Sequence, residues 1–133
     1  QWVQHLTPNM SEVNESVRNM QWPAGLTMTH VALDTSLQEL SEGREETPAV
    51  VIVVTDGAPT DLQSTIRAAE TVRKGARLMF ALVGSGTVSI IHSAEQMASA
   101  PYEHNVLHVN NFTTLTSPDT INHIISDFCP NLE

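Results

Sequence analysis

Two unbroken apolar runs constrain the fold of this chain more than any other feature. They occupy residues 49–54 (AVVIVV) and 78–83 (LMFALV). Runs of this length without alternation are typical of parallel strands that are buried on both faces. The first run leads directly into Thr55-Asp56-Gly57 and the second into Gly84-Ser85-Gly86. We therefore predict two buried parallel strands whose C-terminal ends both open into loops.

A helix is predicted between these strands, over residues 61–75. Apolar side chains recur at helical spacing from Ile66 to Val72. Asp61 is a suitable N-cap for this helix, and Gly75 is a suitable stop. A strand, a helix and a second strand of these lengths form a right-handed crossover unit.

The same alternation extends along the rest of the chain. It predicts helices over residues 11–20, 29–40, 95–100 and 118–128, a strand over 106–109, and the end of a strand over 2–6. The fold class is therefore α/β, with an open, doubly wound, mostly parallel sheet and helices on both faces. Sheets of this kind bind ligands at the carboxyl ends of their strands.

The composition is that of one domain spanning residues 1–133. A chain of 133 residues with 41% hydrophobic content is long enough for one core and too short for two. Its formal net charge of -9 argues against binding to a phosphate backbone, so no nucleic-acid partner is expected. No stretch reaches the roughly 18 apolar residues of a membrane span, so none is predicted in this segment.

Two loops at the predicted carboxyl edge of the sheet carry oxygen ligands. One is residues 25–29 (GLTMT), directly before a predicted helix, and the other is Thr55-Asp56-Gly57. Hydroxyl and carboxylate oxygens suit a hard divalent cation such as Mg²⁺. Each loop also has an ordinary structural interpretation, because a Thr before a helix is usually an N-cap and an Asp-Gly after a strand is usually a turn.

Together, these loops and the order of elements resemble the von Willebrand factor type A family, from about residue 2 to residue 129. In that family a Gly-x-Thr-x-Thr loop and an apolar strand ending in Thr-Asp-Gly are the second and third segments of a metal-ion-dependent adhesion site. Residues 25–29 and 51–57 match these two segments. The stretches 80–84, 95–101 and 106–112, and a last helix ending at a cysteine, follow the family's order of elements.

The resemblance implies a function in binding and not in catalysis, so no enzyme activity is expected. Thr27 would be the threonine ligand of the metal, and Asp56 the acidic ligand, which in the family often reaches the metal through water. The metal would be Mg²⁺, or Mn²⁺ or Ca²⁺, and a carboxylate from a protein ligand would complete its shell. Thr29, His30 and Gly57 adjoin these two residues and are expected to contact the ligand.

One segment of the family's site does not occur in these 133 residues. The family's first segment, Asp-x-Ser-x-Ser, should lie well upstream of Thr27, and it is absent there. Asp34-Thr35-Ser36 imitates its start, but it falls within a predicted helix and is interpreted as a solvated face. A divalent cation needs about six oxygens. We therefore expect this chain to bind the metal only with ligands supplied from upstream.

The family's first strand is also missing, and with it the first helix. In the family that strand lies next to the one matching residues 49–54, so its loss would leave an unpaired edge. We therefore expect the chain to be part of a longer polypeptide. Cys129 is either a free thiol or half of a bridge formed with another segment. In extracellular members of the family, a cysteine after the last helix commonly pairs with one just before the first strand.

The sequence is compatible with three functions. The leading one is an extracellular or cell-surface adhesion module of the secreted pathway, favoured by Cys129 and by glycosylation acceptor patterns at Asn9, Asn14 and Asn111. The alternative is a structural domain, with a degenerate or empty metal site, that packs against neighbouring subunits of an assembly. The third is an intracellular member that works beside an ATPase, as in chelatase subunits.

Overall fold

The computed structural model describes residues 3–21, 24–44, 46–84 and 88–128. Within these ranges, helices and strands alternate along the chain, as the sequence predicts for an α/β fold. The helices are α1 (Met10–Arg18), α2 (Thr29–Ser41), α3 (Leu62–Val72), α4 (Val88–Met97), α5 (Phe112–Leu115) and α6 (Pro118–Phe128), and the strands are β1 (Val50–Thr55), β2 (Arg77–Val83) and β3 (Val106–Val109). A short 3₁₀ helix, Tyr102–His104, precedes β3.

The described strands form one parallel sheet in the order β1-β2-β3. Thr55 at the end of β1 lies opposite Leu82, and Val83 at the end of β2 lies opposite Val109 at the end of β3. Parallel strands in register end at the same edge of a sheet. The loops that follow β1, β2 and β3 therefore all open at one edge, which we call the carboxyl edge.

β2 is the buried strand at the centre of the described sheet, and its side chains alternate between two helical layers. Leu78, Phe80 and Leu82 pack into the main core. Residues of α2, α3 and α4 complete that core, among them Leu33, Ala68, Ala69, Val72, Ala94 and Met97. On the other face, Met79 and Ala81 line a groove against Ile124 of α6. Helices therefore cover both faces of the sheet, which confirms the doubly wound prediction.

The prediction that the first strand is buried on both faces is wrong for β1. Val50, Ile52 and Val54 are 37%, 41% and 56% exposed, whereas Val51 and Val53 pack against the core. This face of β1 is exposed because α6 packs over β2 and β3 and not over β1. A groove of about 230 Å³ remains beside Ile52 and Val54. Within the described part of the chain, β1 is hydrogen-bonded to β2 alone.

The helix between β1 and β2 follows the sequence prediction closely. Asp61 is its N-cap, and its side chain accepts hydrogen bonds from the backbone amide of Ser64 at 3.0 Å and from the Ser64 hydroxyl at 2.6 Å. The helix ends at Val72, just before Gly75. An N-cap carboxylate satisfies an amide that the first helical turn would otherwise leave without a partner.

α4 differs from the helix predicted over residues 95–100, because it spans Val88–Met97. Its buried face is formed by Ala94 and Met97, with Ile90 packed against the core. The helix ends early because the chain turns to the sheet. The amide of Ser99 donates to the carbonyl oxygen of Leu78 at 2.9 Å, and the Ser99 hydroxyl accepts from the Leu78 amide at 2.9 Å.

The N-terminal segment is not a strand over residues 3–6, contrary to prediction, and residue 2 lies outside the described ranges. The backbone amide of Leu6 donates to the carboxylate of Glu39, and His5 Nδ1 lies 2.9 Å from the same carboxylate. The His5 hydrogen bond, followed by the Leu6 amide, lowers the pKa of the Glu39 carboxyl. These contacts tie the segment to the C-terminal half of α2.

Arg77 joins three segments at the amino-terminal edge of the sheet, an arrangement we call the Arg77 clamp. Its Nε donates to Asn105 Oδ1 at 2.6 Å, its Nη2 donates to the carbonyl oxygen of His104 at 3.1 Å, and its Nη1 donates to the carbonyl oxygen of Asp127. Asn105 is only 2% exposed. The clamp thereby fixes α6 and the start of β3 to the first residue of β2.

The remaining elements agree with the sequence where it makes a prediction. β3 and α6 have the predicted bounds, while α5 and the 3₁₀ helix are too short to show periodicity. In the described ranges, no helix combines the length and apolarity needed to cross a bilayer.

Candidate metal and ligand site

The loop before α2 turns sharply at Gly25. Gly25 has a φ of +148°, a conformation that side chains with a Cβ rarely adopt. The N-cap of α2 is Met28, which makes no side-chain capping bond. Thr27 is therefore not the cap, and the ordinary structural interpretation of this threonine does not apply. Its side chain is exposed, and its hydroxyl has no hydrogen-bond partner among the described residues.

The loop after β1 is held by Thr55. The Gly57 amide lies 3.3 Å from Thr55 Oγ1, and the Thr55 hydroxyl donates to the Gly57 carbonyl oxygen at 3.1 Å. A short turn closed by a threonine hydroxyl fixes the backbone on both sides of Asp56. Asp56 itself is exposed, and its carboxylate has no hydrogen-bond or ion-pair partner in the described part of the chain.

A backbone hydrogen bond joins the two loops. The amide of Thr60 donates to the carbonyl oxygen of Thr27 at 3.0 Å. Thr29, Thr55 and Gly57 also line one narrow cavity, together with core side chains of β2 and α4. Both loops therefore lie at the carboxyl edge, as the sequence predicts. That the Thr27 hydroxyl and the Asp56 carboxylate share one cation stays a prediction.

His30 lies in the first turn of α2, next to the candidate ligand loop. Its Nδ1 is buried and has no hydrogen-bond partner among the described residues. The pKa of Asp61 is lowered, mainly by hydrogen bonds from Ser64 and further by the charges of His30 and Arg67. The contact of His30 with a ligand stays a prediction.

The oxygens of Thr27 and Asp56 fit a hard cation in kind but not in number. A hydroxyl and a carboxylate are ligands that Mg²⁺, Mn²⁺ and Ca²⁺ accept. They supply two of about six positions. Across the ranges that the structure describes, no three side chains of His, Cys, Asp or Glu come together as a metal-binding group. These two residues would therefore hold one side of the cation.

Several polar residues outside the two loops have local partners. Asp34-Thr35-Ser36 lies on α2, where the hydroxyls of Thr35 and Ser36 donate to the carbonyl oxygens of Val31 and Leu33, so it is a helix face as predicted. His92 and His123 pair with acidic residues of their own helices. Cys129, the disulfide candidate, lies outside the described residues.

The role of Thr60 in joining the loops could not be predicted from the sequence. Its contribution comes from the backbone amide, so the residue type carries no signal for it. The only available clue is its place in the chain, directly before the Asp61 N-cap and shortly after the candidate ligand Asp56.

Comparisons with known proteins bear on the family and the fold of this chain. A family model described as the von Willebrand factor type A domain matches residues 2–121. Matrilin-2 of Mus musculus is 32% identical over 114 residues, which cover 80% of this chain and 12% of the mouse protein.

Among solved structures, the chain is similar to the manganese-loaded TRAP protein of Plasmodium vivax, with a TM-score of 0.57 and 22% identity. The match covers 84% of this chain and 46% of that chain. At this identity the likeness establishes a shared fold.

Proposed function

The chain belongs to the von Willebrand factor type A family, and from that premise we propose that it is an extracellular recognition module. In this proposal it binds a protein ligand through a divalent cation at the carboxyl edge of its sheet. The supporting observation is the 3.0 Å hydrogen bond between the Thr60 amide and the Thr27 carbonyl oxygen. This bond holds together two loops whose hydroxyl and carboxylate are otherwise unengaged within the described residues.

Each residue at this edge has a distinct task in the proposal. Thr27 offers a neutral oxygen and Asp56 a negative one, so they place one formal charge beside a doubly charged cation. A cation bound with surplus positive charge attracts a carboxylate from the partner protein. Thr55 and Gly57 fix the turn that presents Asp56. The remaining positions would be filled by water and by further oxygen ligands.

One further line of support comes from the comparisons. The similar Plasmodium vivax protein was crystallised loaded with manganese, which makes Mn²⁺ a suitable probe. Secretion, a disulfide at Cys129 and contacts of Thr29, His30 and Gly57 with the partner are parts of the same proposal. The contacts of Thr29, His30 and Gly57 are inferred from the placement of these residues at or next to the candidate loops.

The test uses the full-length natural protein and its Asp56→Ala variant. We expect adhesion of cultured cells to surfaces coated with the protein to require Mg²⁺ or Mn²⁺, and to be lost in EDTA. Asp56→Ala should weaken Mn²⁺ binding at least about tenfold, as measured by calorimetry, and should abolish the metal-dependent adhesion. It should change the unfolding midpoint little, because an exposed carboxylate without a partner contributes little to stability.

Asp34→Ala is the matched control, because Asp34 is an exposed carboxylate within α2 and belongs to neither loop. It should leave both Mn²⁺ affinity and adhesion unchanged. Undiminished adhesion of Asp56→Ala that also resists EDTA would refute the proposed function.

A second candidate is a structural domain within a larger assembly. The exposed side chains of Val50, Ile52 and Val54 favour it, since an apolar strand face suits packing against a neighbouring subunit. Under this alternative the natural protein would assemble equally well in EDTA and with Asp56 replaced.

A further inference from the structure

The acceptor pattern Asn111-Phe112-Thr113 lies at the carboxyl edge of the sheet, directly after β3 ends at Val109. All three residues of the pattern are exposed, and the Phe112 side chain is 61% exposed. An Asn-x-Thr pattern on an exposed turn is the substrate of N-linked glycosylation in a secreted protein. The pattern therefore combines the required sequence with accessibility.

The two polar atoms of the Asn111 side chain have separate roles. Its Oδ1 accepts hydrogen bonds from the Thr114 amide at 2.8 Å and from the Thr114 hydroxyl at 3.0 Å, which caps α5. Its Nδ2 donates no hydrogen bond to any described residue. An N-linked glycan is attached through Nδ2 and leaves the carbonyl oxygen in place, so the cap and the glycan are compatible.

We propose that Asn111 carries an N-linked glycan at the rim of the candidate ligand edge. In this reaction Nδ2 loses a proton and forms a bond to C1 of the first sugar of a lipid diphosphate-linked oligosaccharide, and the lipid diphosphate leaves. The proposal rests on the extracellular location in the proposed function, because the oligosaccharide donor belongs to the secretory pathway. The first sugars would shield the exposed Phe112 ring from water.

The position gives the glycan a steric consequence. In the order β1-β2-β3, Asn111 follows the strand farthest from β1, two inter-strand spacings or roughly 10 Å away. A glycan there obstructs approach from the β3 side. A partner would then reach Asp56 across the N-terminal end of α2, where Leu26 and Met28 are 74% and 43% exposed.

Asn14 provides an in-chain comparison. It is exposed in the middle of α1, and the N-terminal segment around α1 is tied to Glu39, late in α2. α2 begins at the carboxyl edge and runs away from it, so Asn14 lies apart from the candidate site. Asn9 resembles Asn111, because its Oδ1 caps α1 by accepting from the amides of Ser11 and Glu12.

The experiment uses the full-length protein expressed in cultured animal cells. The purified protein is treated with peptide-N-glycosidase in heavy-oxygen water, and the peptide containing Asn111 is analysed by mass spectrometry. We expect Asn111 to be converted to heavy-labelled aspartate. Asn111→Gln and Thr113→Ala should each lose the mass of one glycan, Thr113→Ser should keep it, and Asn14→Gln should leave the Asn111 glycan in place.

In a parallel experiment the protein is expressed with an added secretion signal. The comparison distinguishes whether Asn111 can be glycosylated from whether the natural protein is secreted. Modification of Asn111 in both arms supports both proposals. Modification only with the added signal supports the site and overturns the proposed extracellular location. An unmodified Asn111 peptide in protein recovered from the medium overturns the glycan proposal, whatever the result of the adhesion assay.

Discussion

The backbone amide of Thr60 donates a hydrogen bond of 3.0 Å to the carbonyl oxygen of Thr27. This bond joins the loop after β1 to the loop before α2, which are separated in the sequence by a complete helix and a strand. The carbonyl of Thr27 is thereby engaged in the fold, while its hydroxyl faces solvent. The Thr27 hydroxyl is therefore positioned by a hydrogen bond to the Thr27 backbone and not by a contact of its own side chain.

We expect slow hydrogen exchange at the Thr60 amide. Thr60 is exposed and outside any helix or strand, yet its amide is hydrogen-bonded across the two loops. Exchange measured by NMR should be at least roughly fivefold slower than in an unstructured peptide, consistent with a net hydrogen-bond contribution of about 1 kcal/mol. Saturating Mn²⁺ would broaden these signals, so Mg²⁺ is the appropriate ion for testing further protection. Exchange at the unstructured rate would contradict the loop contact.

The Asp61 cap should make stability fall in acid. Its lowered pKa, caused first by the Ser64 hydrogen bonds and then by His30 and Arg67, means that its contribution is complete above its unfolded pKa. That contribution is lost as the pH falls from about 4 through the folded pKa. Asp61→Asn is the control, because asparagine also caps helices but has no charge.

Urea midpoints of the wild type and Asp61→Asn measured at several pH values isolate this contribution, since Glu39 titrates in both proteins. We expect the wild type to have the higher midpoint at pH 7 and the difference to shrink below about pH 4. A difference that does not vary with pH would show that the charge of Asp61 is not involved.

Replacing Arg77 with lysine should destabilise the protein by about 1.5–3 kcal/mol. Lysine keeps the positive charge but has one nitrogen in place of the three that contact Asn105, His104 and Asp127. Arg67→Lys is a matched control on the exposed side of α3, and we expect a change within about 0.5 kcal/mol. Equal urea midpoints for the two variants would mean that the Arg77 clamp contributes charge alone.

The 133-residue chain expressed alone should self-associate through β1. Its apolar side chains Val50, Ile52 and Val54 are exposed on a strand that has an open edge within the described sheet. A lysine on such a strand opposes pairing, so Ile52→Lys should shift sedimentation velocity profiles towards monomer. Val31→Lys, at a 49% exposed apolar position on α2, should have little effect. A soluble wild-type monomer with one cooperative urea transition would contradict the prediction.

Much of the fold follows from patterns within the chain. The strands β1 and β2 follow from unbroken apolar runs, and α3 follows from a cap, a periodic face and a glycine stop. The bounds of α4 are harder to predict, because its end is set by the hydrogen bonds of Ser99 to Leu78 and not by the Pro101 that follows. The exposure of β1 could not be predicted from its own residues, because burial depends on which neighbouring elements cover the strand.

The candidate site, too, could be predicted only in part from the sequence. The loops of Thr27 and Asp56 are predicted to meet because both belong to the carboxyl edge, and the structure brings these loops together. The contact that joins them is made by the Thr60 backbone, which any residue except proline could supply. Side-chain patterns identify the candidate ligands, but they carry no information about a main-chain contact of this kind.

The Arg77 clamp has a consequence for how such a domain can diversify. It lies at the first residue of β2, whereas Thr27, Asp56 and Asn111 lie in loops at the carboxyl edge, so the length of the sheet separates the two sets of residues. Substitutions distant from each other and without shared partners have nearly additive effects on stability. Natural variation can therefore change the loops that determine the partner. Arg77 and its three acceptors meanwhile maintain the stability that offsets destabilising loop sequences.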